Sequence, residues 1–453
     1  MARNMTTGST GRHLVSFAIP MILGNMFQLT YNAADSIIVG KYAEKEALAA
    51  IGTANPIMNI IIFFIIGICM GASVLMSEFY GAGELEKLKK EIATTIIIGS
   101  GFAVVVSIVC IILVRPILLL ISTPKEILDD ASLYLQIIFV GLIFTFFYNV
   151  YAATLRSIGD AKTPIYFLMI SSVLNVCLDL LFVAVFHLGV AGAAYATVIA
   201  EAVSCILCIH YVYKKVPILR LSRKDMVVDR SLVGKTISYS WVTSMQQTCL
   251  YVGKVFVQGA VNPLGIDSIA TFNAVNRVDD FAFTPQQSIA HSMTTFIAQN
   301  RGAKQDGRIQ KGLRRGLQLE MAYWVLLVGI VYFGAGPMMK LFVPEGDASV
   351  VRLGKEYLHA MAFFYLMPAF TNGIQGYFRG MGELKVTLRS TFIQMIFRVL
   401  FAYLLAPTMG IKGIALACLG GWSVMLLYEV PVYFRFRKKM KKDKLVDAQE
   451  MVQ

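Results

Sequence analysis

Four polar side chains interrupt the first long apolar segment of the chain, SFAIPMILGNMFQLTYNAADSIIVG: Asn25, Gln28, Asn32 and Asp35. They fall at i, i+3, i+7 and i+10, so a 3.6-residue period stacks them along one stripe of a helix. A carboxylate in a membrane helix costs at least a few kcal/mol, and it therefore turns toward a protein interior or a water-filled cavity. Two later segments carry matching chemistry. Asn175 and Asp179 stand at i, i+4 in the fifth apolar run, and Thr197 and Glu201 at the same spacing in the sixth. Two carboxylates, an amide oxygen and a hydroxyl form a hard-oxygen set for an alkali cation, and the same acids held close can instead share protons. The expected ion site is thus Asp35, Asn175, Asp179 and Thr197, with Na+ or H+ as the ion. Taken singly, Asn175 and Thr197 also read as buried polar groups satisfied by a neighbouring helix.

The elements that must position these residues are membrane helices. With 57% hydrophobic and 15% charged residues over 453 positions, the composition excludes an ordinary soluble globule. Apolar runs long enough to span recur at 13–39, 53–79, 90–114, 126–150, 164–186, 191–213, 233–259, 269–297, 316–336, 354–376, 386–406 and 412–434. The expected fold is all-α and polytopic, with twelve transmembrane helices. At about 1.5 Å per residue, Asp35, Asp179 and Thr197 lie within roughly 5 Å of one another in depth, so one site is geometrically feasible. Prolines inside the runs, at 20, 164, 285, 368 and 431, are candidate kinks.

The net charge of +13 is explained by topology. Thirty lysines and arginines fall on the side of the N-terminus and eight on the other, while Lys254, Arg277 and Arg398 lie within runs. The positive-inside rule then places both termini in the cytoplasm of a cell whose plasma (inner) membrane holds the chain. No nucleic-acid partner is needed to explain the basicity, and the basic C-terminal stretch can touch anionic lipid. The first run is too long and too polar for a cleaved signal. Seven cysteines within or beside the runs do not suggest a disulfide framework, and five scattered histidines lack ligand spacing, so neither a metal cofactor nor enzymatic chemistry is expected.

The two halves repeat at an offset of 221 to 223 residues: YGAG at 80–83 matches RGAK at 301–304, RSIGDAK at 156–162 matches RGMGELK at 379–385, and GVAGAA at 189–194 matches GIKGIA at 410–415. Six spans per half is an even number, so the repeat is parallel, with its pseudo-two-fold axis along the membrane normal. The expected organisation is an N-terminal six-helix bundle with the ion site at 1–213, a cytoplasmic linker at 214–235, a C-terminal bundle at 236–436 and a basic tail at 437–453. The ion site has no second copy, because Arg398 stands opposite Asn175, Ala402 opposite Asp179 and Cys418 opposite Thr197. Polar and aromatic positions at Gln28, Tyr31, Asn32, Asn149, Glu201, Gln246, Gln247 and Asn372 are candidates to line a cavity between the halves. Lys254, Arg277, Asp279 and Asp280 read first as a structural ion pair, since opposite charges this deep are usually matched. Glu78 and Glu429, near run ends, read as interfacial.

GNMFQLTYNAADSIIVGK, LRSIGDAKTP, NVCLDLLFV, TTFIAQNRGAK and YFRGMGELK, in that order and spacing over nearly the whole chain, resemble the multidrug and toxic compound extrusion (MATE) transporters, nearest to their DinF-like bacterial branch. The resemblance implies a monomeric secondary active exporter of amphipathic, mostly cationic compounds, driven by H+ or Na+ through the aspartates, asparagine and threonine of the first half. Other branches place acids on helices 7 and 10, where this chain has Gln246, Gln247 and Asn372. An alternative on a similar scaffold is a flippase for lipid-linked envelope precursors.

Overall fold

The computed structural model describes residues 4–42, 45–342 and 347–450, and among them the side chains of 32–37, 39–41, 45 and 443–450 are not described. Asn32 and Asp35 therefore lie outside the described side chains. The helices are α1 (Thr10–Tyr42), α2 (Lys45–Ala82), α3 (Leu85–Leu120), α4 (Lys125–Ser157), α5 (Lys162–Asp179), α6 (Gly189–Lys215), α7 (Arg230–Val261), α8 (Ile266–Gly302), α9 (Asp306–Phe342), α10 (Ala348–Phe364), α11 (Leu366–Gly380), α12 (Leu384–Met409) and α13 (Ile411–Glu450). The protein is an all-α polytopic membrane protein. Nine of these helices, among the described residues, are by length and composition long and apolar enough to cross a membrane. The remaining crossings are α7, α8 and the broken pair α10–α11, which gives twelve transmembrane helices, six in each half.

The tenth apolar run, read as one helix, is divided at Tyr365, and the cause is local. Pro368 has no N–H to give to the carbonyl of Phe364, and its ring crowds that carbonyl, so the helix stops there and restarts. Pro20, Pro285 and Pro431 are carried inside helices, whereas Pro164 falls in the first turn of α5, where a missing N–H costs nothing.

The sequence repeat is also a repeat of backbone conformation. Gly159 and Gly382 end the matched RSIG and RGMG turns with φ of 86° and 77°, and at the start of the last helix of each half Gly189, its first residue, and Gly410, the residue before it, take 54° and 58°. These are left-handed values that glycine adopts without a Cβ clash. At the matched turn after α2 and after α8, Gly83 and Lys304 take φ of 75° and 54°.

Two compact units are present: Met1–Tyr251 with His291–Gly312 and Arg379–Gly382, and Val252–Ala290 with Leu313–Phe378 and Glu383–Gln453. The first unit therefore includes the starting half of α7 and the closing end of α8. Within it, α2 and α8 meet through glycines. A Cβ on Gly81 would strike the Gln299 backbone, and one on Gly302 would strike the Glu78 carbonyl and lie 2.9 Å from Ala82 N. Arg301 hydrogen-bonds Glu78 across the same contact. Glu78, read as interfacial, is thus the acceptor of an ion pair.

The chain ahead of α1 is bound to this region. Met5 is 1% exposed, its N–H donates to Gln299 Oε1 at 2.9 Å, and its carbonyl accepts from Arg308 Nη2 at 2.7 Å and Asn300 Nδ2 at 3.3 Å. The linker after α6 is tied to α3: the Asp229 N–H donates to Thr94 Oγ1 at 3.2 Å, and Lys90 Nζ lies 3.4 Å from Asp229 Oδ2.

Candidate ion site

α5 is short, and it ends on the residue that matters. Asp179 is its last α-helical residue, fully buried, and the next six, Leu180–Val185, wind as a π-helical turn. A π turn widens the helix and leaves one hydrogen-bond register for another, a feature frequent at functional sites. Asn175, one turn earlier, is 4% exposed. With its amide oriented to satisfy both neighbours, Asn175 donates to Asp179 Oδ2 at 3.2 Å and accepts from the Thr197 N–H at 3.3 Å. The Thr197 hydroxyl donates to Ala193 O at 3.0 Å, so its hydrogen is engaged and its oxygen is presented as an acceptor. Three of the four expected residues, Asn175, Asp179 and Thr197, are thus joined by hydrogen bonds across α5 and α6. The fourth, Asp35, is carried by α1, which packs along α5 and the π turn. Close approach of α1 is permitted by Gly24, where a Cβ would lie 2.5 Å from the Ile165 side chain.

Glu201, one turn beyond Thr197 on α6, accepts a hydrogen bond from Thr145 of α4. Asn149 Nδ2 donates to the Thr145 carbonyl at 2.8 Å, and Tyr148 Oη to Pro164 O at 3.1 Å. A carboxylate, a hydroxyl and an amide thus continue from α6 onto α4. Thr145 was not read from the sequence, although its i+4 relation to Asn149 put the two on one face. Gln28 and Tyr31 are half-buried on α1, Gln247 half-buried on α7, and Asn372 half-buried on α11, while Gln246 is 1% exposed.

In the second half the four charges read as a possible ion pair divide. Lys254 Nζ lies 2.7 Å from Asp280 Oδ1, with both side chains partly exposed. Asp279 is buried and is held by the hydroxyls of Tyr357, at 3.1 Å, and Tyr365. Arg398 lies close to Asp279 and to Cys418. Arg277 is exposed, and no ion pair to it occurs among the described residues. Ala402, the counterpart of Asp179, is fully buried. Where the first half has an amide and a carboxylate, the second has a guanidinium and a methyl group. All seven cysteines are free thiols, and no group of three His, Cys, Asp or Glu fit to hold a metal occurs among the described residues.

The MatE family model matches the chain twice, over residues 20–181 and 243–404, an offset of 223 residues that coincides with the repeat. The chain belongs to the MatE family. It is a multi-pass membrane transporter of the multidrug-efflux kind. It is 27% identical over 417 residues to the probable multidrug resistance protein YpnP of Bacillus subtilis, covering 92% of this chain and 93% of that protein. It is 22% identical over 340 residues to DNA damage-inducible protein F of Escherichia coli, 72% of each. Its fold matches a crystal structure of MATE in complex with MaL6, with a TM-score of 0.91 over 97% of this chain and 99% of that one, at 22% identity.

Proposed function

We propose that this MatE transporter is a secondary active exporter, exchanging amphipathic, mostly cationic compounds for inward-moving H+ or Na+ by alternating access. The observation that carries the reading is the joined Asn175, Asp179 and Thr197 set on α5 and α6, beside the helix that bears Asp35. A buried aspartate that accepts from an amide, with a threonine linked to the same amide, is a group that can take up a proton or a small cation. Neutralising it changes the charge seen by a cationic compound on the same wall. Ion and compound then favour different states, which uphill transport requires, since a ligand with equal affinity for both states shifts nothing. Coupling of about 1 to 3 kcal/mol gives a roughly 5- to 150-fold change in affinity, equal in both directions. Pro20 is a point at which α1 can bend in response. The glycine contact of α2 with α8 must part when the cytoplasmic side opens.

The chain acts as a monomer in a bacterial plasma membrane, with both termini in the cytoplasm. The flippase reading calls for a cationic cavity for a pyrophosphate; Lys254 is engaged by Asp280, which leaves Arg277 and Arg398 as the cations it would have to use, while the acidic stripe of the first helix counts against it. The test is efflux of a fluorescent cationic compound from everted vesicles under an imposed pH gradient or an imposed Na+ gradient. One gradient should drive transport and the other should not. Transport indifferent to both would overturn the antiport reading. Reporters fused after Lys235 and Lys444 should both read cytoplasmic, and a periplasmic signal from either would overturn the parallel arrangement of two six-helix halves with cytoplasmic termini.

A further inference from the structure

Glu429 lies on α13, eighteen residues from its start at Ile411, or about 27 Å along the helix. Read from the sequence as interfacial, it is in fact 1% exposed. α12 packs along α13, with the Gln394 carbonyl 2.9 Å from where a Cβ on Gly421 would sit. One face of α12 is a polar stripe, Thr387, Ser390, Thr391 and Gln394 at i, i+3, i+4 and i+7, none more than 3% exposed. α11 contributes Gln375, whose Nε2 lies 3.4 Å from Ser390 Oγ and 3.3 Å from Thr391 Oγ1. The two hydroxyl hydrogens are committed, because Ser390 and Thr391 donate to the Thr387 carbonyl at 3.0 and 2.9 Å.

The Glu429 carboxyl faces Ser390 and Gln375, yet neither of its oxygens meets a donor at hydrogen-bonding geometry, and no ion pair to it occurs among the described residues. The other titratable groups on these helices are Tyr377 and the buried Arg379 on α11, Lys385, Arg389, Arg398 and Tyr403 on α12, and Lys412, Cys418, Tyr428, Tyr433 and the basic run from Arg435 on α13; α10, which also packs on α13, carries Arg352, Lys355, Glu356, Tyr357 and His359. A carboxylate withdrawn from water with neither donor nor counter-ion is strongly unfavourable, and the deficit is met by bringing in a positive charge. The wall nearest it offers the N–H face of Gln375 and hydroxyls whose hydrogens are spent. That suits a carboxylic acid, whose own O–H can donate to Ser390 Oγ, better than a metal cation, which needs a shell of free oxygens.

We propose that Glu429, with Ser390 and Gln375, is a second small-cation site, located in the second half, and that the cation it takes is a proton. The site differs from the first in every residue and owes nothing to the repeat. Its binding of a proton stands apart from the transport reading. Only the corollary, that this proton adds to the number exchanged per cycle, rests on antiport.

The test is infrared difference spectroscopy of the full-length protein in lipid nanodiscs between acid and alkaline pH, with and without Na+. A protonated-carboxyl band should titrate in the wild type, vanish in Glu429→Gln and shift in Glu429→Asp. Spectra that superimpose for wild type and Glu429→Gln overturn the proposal. So does an unshifted band in Glu429→Asp, which serves as the deciding variant if the glutamine form does not fold. Suppression of the band by Na+ at constant pH makes the site a sodium site and overturns the proton assignment. Vesicles without gradient-driven efflux, but with an intact Glu429 band, would sink the antiport reading and leave this one standing.

Discussion

Asn175 stands 3.2 Å from the carboxylate of Asp179, one turn away on the same helix, and its amide oxygen takes the backbone N–H of Thr197 at 3.3 Å. One side chain thereby sets the separation of α5 from α6 at the level of the acid. Asn175, Asp179 and Thr197 are thus held together by two helices of one half. That arrangement makes several outcomes predictable.

Asn175→Ala removes a donor from a buried carboxylate, a loss of about 1–3 kcal/mol. Ion-driven efflux should weaken roughly 5- to 150-fold at matched expression. Asn175→Asp, which sets a second carboxyl against Asp179, should move the pH dependence as well. Wild-type efflux in both variants would remove Asn175 from the site.

Asp35→Asn and Asp179→Asn should each abolish gradient-driven efflux while membrane insertion stays intact, because removing a buried charge makes insertion easier. Ala402→Asp places an acid at the matched position of the second half, where Arg398 replaces the asparagine, and it should rescue neither. Near-normal drug resistance in both single variants would remove these acids from the mechanism.

The glycine contact between α2 and α8 tolerates no side chain. Gly302→Val should force the two helices apart against the Glu78 carbonyl and Ala82 N. In a cysteine-free background, Ser77→Cys, at a position 2% exposed, should react slowly with an impermeant maleimide. Adding Gly302→Val should make it react fast. Equal rates would mean that this contact does not close the region.

Asp229 precedes α7 and accepts from both the hydroxyl of Ser231, at 2.6 Å, and its N–H, at 3.0 Å; with Lys90 nearby, these bonds hold its carboxyl below the usual carboxylate range. A group whose folded pKa is depressed contributes above its unfolded value and loses that contribution as pH falls through the folded value. Protection of the amides at the start of α7, taken relative to the intrinsic exchange rate at each pH, should therefore be high at neutral pH and fall only in acid. In Asp229→Ala it should be low at neutral pH and change little on acidification. A wild type equally protected on both sides of the carboxylate range would refute this.

The spans and the neighbouring polar residues of α5 and α6 were readable for the same reason: long apolar runs leave few polar side chains, and their helical spacing is visible. Asn175 with Asp179, and Thr197 with Glu201, follow from a four-residue interval alone. The π turn after Asp179 was not readable, since Leu180–Val185 is an apolar stretch whose side chains do not encode the backbone register. The division at Tyr365 was half-legible through Pro368, whose effect depends on whether the helix bends or stops. Glu429 was misread because position near a run end is equally compatible with a water interface and a protein interior. The stripe on α12 that decides between them becomes visible only when Thr387, Ser390, Thr391 and Gln394 are counted together.

The residues ahead of α1 have a practical bearing. The main chain at Met5 is gripped by Gln299 and Asn300 of α8 and by Arg308 of α9, with Arg308 also reaching the Gly8 carbonyl at 2.7 Å. Displacement of the end of α8 must carry these residues along or let them go. An affinity tag or fluorescent protein joined ahead of Asn4 therefore hangs on a working part. The same cargo after α13 touches none of these bonds, which makes the far terminus the place for a handle and the near one the place for a conformational reporter.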